Sequence, residues 1–274
     1  MQDVCADLLE EYQELDALAA RLTPQQWQTR TAFHDWTPWD EIAHLCLFDE
    51  TGLLAATDGN AFAADARALT AALANGRQFS ELAREKYQAL DGPALLAHWR
   101  GRYTALVATL AALDTRARLP WYGPTMSARS FATARMMETW AHGQDVFDAM
   151  GVRRQPSHRL KHIAHIGVTT FGWTFVNRKL AVPEPAPYVE LSAPGDETWT
   201  WNEPSTANAV RGSAEDFCLV VTQRRNVLDT ALQVSGDAAT QWLAIAQCFA
   251  GPPATPPAPG TRGVRCEGAN ANAV

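Results

Sequence analysis

Residues 135–146 read Arg135-Met136-Met137-Glu138-Thr139-Trp140-Ala141-His142-Gly143-Gln144-Asp145-Val146, and the fold turns on this stretch. It sits inside an uninterrupted helical pattern over 128–150 that stops at Gly151, a residue suited to the left-handed turn past a helix end. Glu138 and His142 are four residues apart, so both side chains project from one side of the helix, with Cβ atoms roughly 6 Å apart. Two such groups can grip one metal ion. A third ligand from a facing helix would complete a site with coordination positions left for water or substrate. By spacing alone, the pair reads first as an exposed Glu–His contact worth roughly 0.3 kcal/mol.

A facing helix is predicted upstream. Thr37-Pro38 places a capping residue and a proline at the start of Trp39-Asp40-Glu41-Ile42-Ala43-His44-Leu45, which carries His44 as third ligand or as a packed core histidine. Helical spacing also marks residues 2–22 (Val4, Leu8, Tyr12, Leu15, Leu18) and 93–113 (Leu95, Leu96, Trp99, Tyr103, Leu106, Leu110). Residues 63–90 read as short inserted helices. Four amphipathic helices with inward polar ligands are a known way to build a metal site.

After Pro156 the pattern changes. A helix is expected from His158 to Leu180, followed by short β-like runs at 188–191, 198–201 and 208–211, the first two separated by the turn signal Pro194-Gly195-Asp196. Helices near 213–225 and 237–249 flank a strand at 232–234. From Gly251 the Pro- and Ala-rich sequence predicts a disordered tail over 251–274.

Composition narrows the function classes. A chain of 274 residues can bury a substantial core. No run approaches the ~20 apolar residues of a membrane span, and Met-Gln-Asp-Val-Cys-Ala-Asp is not a basic signal-peptide start. Five scattered cysteines without a CxxC argue against a disulfide framework and for a reducing, cytoplasmic setting. The formal net charge of −7 disfavours a nucleic-acid partner. The expected partner is a small-molecule substrate, on a monomer or homodimer.

The stretch Phe33-His34-Asp35-Trp36-Thr37-Pro38 through Leu45 resembles the second-helix signature of the DinB-like family, and within it of the thiol-dependent maleylpyruvate isomerases. Asp35 stands where that signature usually has Gly. Arg135 through Val146 is similar to the family's fourth-helix motif, whose metal ligands map onto His44, Glu138 and His142. Residues 212–221 and 234–239 resemble the small sterol-carrier-like α/β domain attached to these isomerases. The fold class implied is α plus α/β: a DinB-like four-helix bundle over 1–155, then a linking helix and sterol-carrier-like domain over 156–250, then the tail.

The resemblance further implies a divalent metal, zinc first, although the same donors accept iron, manganese or nickel. It implies a low-molecular-weight thiol cosubstrate, whether mycothiol, ergothioneine, glutathione or bacillithiol, and cis–trans isomerisation of a small unsaturated dicarboxylate such as maleylpyruvate. Alternatives are a thiol S-transferase and a non-catalytic metal or small-ligand binding protein. Trp121 and Tyr122, on the loop entering the fourth helix, are candidates to wall the pocket that takes the thiol. Arg135 is a candidate for pairing with Glu138 or Asp145 or for clamping a substrate carboxylate. By resemblance alone, Arg224 and Arg225 are carboxylate binders; as helix-end cations they also have a purely structural reading. The 63–90 insertion and the Trp121–Ser127 loop set the chain apart from the isomerases proper. His158, His162 and His165 share one helix face and form a rival metal cluster, read more naturally as a wet helix face. Cys46 should point away from the metal as a small core residue.

Overall fold

The computed structural model describes residues 1–264, which divide into two compact units at Met150/Gly151 rather than at 155. In the first unit the long helices are α1 (Gln2–Ala19), α2 (Pro38–Thr57), α5 (Gly92–Ala111) and α6 (Ala128–Ala149). α1 and α2 each pack on both α5 and α6. Their shared core includes Leu8, Tyr12, Leu15, Ile42, Leu45, Leu95, Trp99, Leu106 and Phe131, all essentially without solvent contact. Each such side chain contributes about 1.5–3 kcal/mol of apolar burial. The insertion forms α3 (Gly59–Ala74) and α4 (Phe79–Tyr87), and α4 lies against α2.

Helix starts follow local chemistry. Thr37 accepts from Asp40 N while Asp40 reaches back to Thr37 N, a full capping box with Pro38 in the first turn. Asp91 caps α5 and Ser127 caps α6. α6 ends at Gly151, whose φ of 66° supplies the left-handed turn. A short antiparallel hairpin unforeseen from the sequence, β1 (Arg118–Leu119) with β2 (Met126–Ser127), closes the loop that carries Trp121 and Tyr122.

The second unit contains a four-stranded sheet in the order β4-β3-β5-β6, formed by β3 (Tyr188–Ser192), β4 (Thr198–Trp201), β5 (Ala209–Ser213) and β6 (Gln233–Ser235). β3 and β5 run parallel, and the outer pairs are antiparallel. The helix expected over 158–180 is broken into α7 (Leu160–Thr169) and α8 (Phe171–Val176). The hydroxyls of Thr169 and Thr170 bond back to His165 O at 2.8 Å and Ile166 O at 2.7 Å, a competition that bends helices. α9 (Ala214–Val221) and α10 (Asp237–Leu243) are shorter than expected. Gln223 turns left-handed at φ 59°, and Cys248 N is drawn to Val221 O at 2.9 Å.

The expectation of a disordered tail is corrected for residues 251–264, while 265–274 lie outside the described residues. This Pro-rich segment forms few backbone bonds of its own, but its carbonyls accept from side chains of the second unit. Arg178 Nη2 reaches Ala254 O at 2.6 Å and Asn226 Nδ2 reaches Pro257 O at 2.8 Å. Among the described residues no helix is long and apolar enough to cross a membrane.

Candidate metal centre

The cap at Thr37 fixes where α2 begins and so which face His44 presents. Across from it, α6 presents Glu138 and His142 one turn apart. The three meet: His44 Nε2 is 3.9 Å and His142 Nε2 is 3.4 Å from Glu138 Oε2, and the two imidazole centroids are 4.4 Å apart. These separations exceed the ~2.8 Å of a charge-assisted hydrogen bond. They match the roughly 3.4 Å between two ligands that each sit about 2.1 Å from a tetrahedral zinc. Two imidazoles and a carboxylate are also the donor chemistry of a catalytic zinc site, so the residues present fit a divalent ion. Burial pushes the Glu138 carboxyl up, but the facing imidazoles of His142 and His44 outweigh it and hold it well below the usual carboxylate range. Glu138 keeps 26% of its side-chain exposure against 6% for His142, so the cluster has an open side.

Groups unforeseen from the sequence surround the triad. Glu41, fully buried, lies 2.7 Å from His142 Nδ1 through Oε2, and Thr31 Oγ1 donates to its Oε1 at 3.1 Å. Trp36 stacks on His142 at 5.8 Å and leans on His44 at 5.3 Å, and Phe33 meets His142 edge-on. The bend that aims these rings passes through His34 and Asp35 at φ 50° and 56°. The second of these is where the resembling motif carries glycine, and Asp tolerates this conformation better than most residues. One available signal was that Glu41 precedes His44 by three positions and therefore shares its face.

Trp121 and Tyr122 belong to an aromatic wall that reaches the triad through Phe48. Phe48 lies 4.8 Å from His44, 6.3 Å from Trp121 and 5.9 Å from Tyr122. Trp121 in turn stacks on Phe62 and meets Phe131 edge-on. Burial pushes the Tyr122 phenol up to about 12. Arg135 takes a partner other than those expected: its Nε donates to Asp49 Oδ1 at 2.8 Å and its Nη2 to Leu45 O at 3.4 Å. Arg224 and Arg225 are in the second unit, buried just past α9, where each donates to a nearby carbonyl, Thr222 O and Arg224 O respectively, at 2.8 Å.

Two competing clusters read as structural. His165 Nδ1 accepts from Trp201 Nε1 at 3.3 Å, and the groupings with metal-ligand spacing among the described residues do not unite His158, His162 and His165. Cys46 approaches Glu50 and His98, but that carboxylate is bridged to Lys86 at 2.5 Å and to His98 at 2.7 Å. Burial pushes the Cys46 thiol up to about 12, so it stays protonated. A surface groove of about 540 Å³ beside Trp27, Trp39 and Arg84 is lined by none of the triad.

Comparison with known proteins identifies the family. The mycothiol maleylpyruvate isomerase N-terminal domain family matches residues 8–147, the span that carries the triad. Uncharacterised proteins from two strains of Mycobacterium tuberculosis are 44% identical over 248 residues, covering 90% of this chain and 95% of theirs. The crystal structure of the mycothiol-dependent maleylpyruvate isomerase superposes with a TM-score of 0.53 at 12% identity, over 80% of this chain and 87% of that one, a likeness of fold. The chain thus belongs to the mycothiol maleylpyruvate isomerase N-terminal domain family.

Proposed function

We propose that this protein is a metal-dependent enzyme that uses a low-molecular-weight thiol, mycothiol first, to isomerise a small unsaturated dicarboxylate of the maleylpyruvate kind. The observation that carries the reading is the convergence of His44, Glu138 and His142 on an open-sided cluster at metal-ligand spacing. In the same reading the first unit is a DinB-like four-helix bundle, the second a sterol-carrier-like domain, and the setting cytoplasmic.

His44, Glu138 and His142 would hold the ion, zinc first. Bound there, a divalent cation favours the thiolate of a small thiol at neutral pH, where a free thiol with pKa near ~8.5 is mostly protonated. Addition of the thiolate sulfur to one alkene carbon converts the double bond to a single bond and moves its electron pair into the conjugated carbonyl. Rotation follows, and loss of the same thiolate restores the double bond in the trans geometry, so the thiol is regenerated. Trp36 and Phe33 shield the imidazoles from water, and Phe48, Trp121 and Tyr122 offer the apolar wall for the thiol's carbon skeleton. Arg224 and Arg225 remain the second unit's candidates for a substrate carboxylate by resemblance.

The aromatic wall also favours a second reading. An apolar electrophile would suit that surface, and permanent attachment of the thiol would make the protein an S-transferase. Maleylpyruvate incubated with the zinc-loaded protein and each of mycothiol, ergothioneine, glutathione and bacillithiol tests both. Trans product with unchanged thiol supports the isomerase and a stable thiol adduct supports the transferase. No conversion with any thiol overturns the isomerase.

A further inference from the structure

Glu41 is not one of the three ligands proposed above, although with His142 and Asp145 it forms a second, buried group at metal-ligand spacing, and its carboxylate is fully buried. Burying a carboxylate costs several kcal/mol unless close partners compensate. Its close contacts include two. Oε2 faces His142 Nδ1 at 2.7 Å, and Oε1 accepts from the Thr31 hydroxyl at 3.1 Å. That hydroxyl accepts from Phe33 N at 3.1 Å, and of its two acceptors Glu41 Oε1 is nearer than Phe33 O at 3.4 Å.

If Glu41 is ionised it only accepts, and the 2.7 Å contact then puts the proton on Nδ1 of His142. The neutral ring then has its lone pair on Nε2, the atom that faces Glu138. Nδ1 and Nε2 are on opposite sides of the imidazole, so Glu41 cannot ligate the ion that Nε2 would bind. It can only orient the ring and raise its basicity. Because Glu41 and His44 are three apart on α2, a single helix brings one ligand and the support of another to α6.

We propose that Glu41 is the positioning residue of the metal centre, holding His142 in the Nδ1–H tautomer with Thr31 as its own support. This rests on the metal reading above. The test is zinc affinity, measured by competition with a chromophoric chelator on the purified full-length protein, with apo-protein circular dichroism as the check of folding. Glu41→Leu should weaken zinc binding about ten- to a hundredfold, with Glu41→Gln between it and wild type because its amide oxygen still accepts from Nδ1. A folded Glu41→Leu protein that binds zinc within twofold of wild type overturns the proposal. Should Glu41→Leu fail to fold, the near-isosteric Glu41→Gln decides: a loss beyond twofold supports the assignment, and a loss within twofold overturns it. A wild-type protein that does not bind zinc at all would instead overturn the metal reading, so the two failures are distinct.

Discussion

Two buried polar clusters share α2 and α6 and are built in opposite ways. In one, Asp49 accepts from Tyr12 Oη at 2.6 Å and Arg135 Nε at 2.8 Å on one oxygen, and from Trp99 Nε1 at 2.8 Å on the other. Its distances are those of finished hydrogen bonds. In the other, His44, Glu138 and His142 face one another at 3.4 and 3.9 Å, and the carboxylate keeps an open side. The closed cluster ties α1, α2, α5 and α6 together. The open one is spaced for something between its members. Within these two clusters the members are therefore sorted by whether they lie at bonding distance from one another, not by their burial.

The contrast breaks most visibly at Asp49. Asp49→Ala removes the acceptor for three donors and leaves the Arg135 charge buried without its counter-ion, and should cost about 3–5 kcal/mol. Urea unfolding should show a lower midpoint, and a loss under about 1 kcal/mol would mean the cluster is not closed as described.

Glu138→Gln is the matching change in the open cluster. It should abolish tight zinc binding while costing the apo-protein clearly less stability than Asp49→Ala does, since no bond at hydrogen-bond distance to the imidazoles is lost. An apo-protein destabilised as much as Asp49→Ala would place Glu138 in the structural class.

A weaker effect is expected at Asp40, where pH sharpens the comparison. Burial pushes its carboxyl up, but the hydrogen bonds from Arg84 and Thr37 outweigh it and lower its pKa. A folded-state pKa below the unfolded one gives stability that is full above the unfolded value and is lost as pH falls through the folded value. Arg84 is largely exposed, so Arg84→Ala should cost less than about 1 kcal/mol at neutral pH. That cost should vanish once Asp40 is protonated, and an unchanged cost in acid would show that Arg84 acts through packing instead.

The smallest effect is at Asp35. Asp35→Gly should fall within about 0.5 kcal/mol of neutral, because relief at φ 56° offsets the extra freedom of the unfolded chain. A β-branched residue is a true outlier in this conformation, so thermal melting should show Asp35→Val clearly less stable than Asp35→Gly.

What was legible in the sequence is local. Thr37-Pro38 and Gly151 marked helix ends, the apolar spacing of α1, α5 and α6 marked the core, and the four-residue step from Glu138 to His142 marked one face. The strands at 188 and 198 were readable from the turn between them. What escaped depends on partners distant in sequence. Arg135 was expected beside Glu138 or Asp145, yet its carboxylate comes from Asp49 on α2. Glu41 acquires meaning only when α6 brings His142 against it. The 251–264 segment looks structureless because its bonds come from side chains such as Arg178 and Asn226, which no local pattern reveals. The break between α7 and α8 was written in Thr169-Thr170, but weakly.

The most direct test of the central claim is metal content after mutation. Elemental analysis of the purified protein should find about one divalent ion per chain, as an open three-ligand site requires. His142→Ala should lose most of it while keeping wild-type circular dichroism, and His162→Ala should keep it. Full metal retention in His142→Ala, with loss in His162→Ala, would contradict the account.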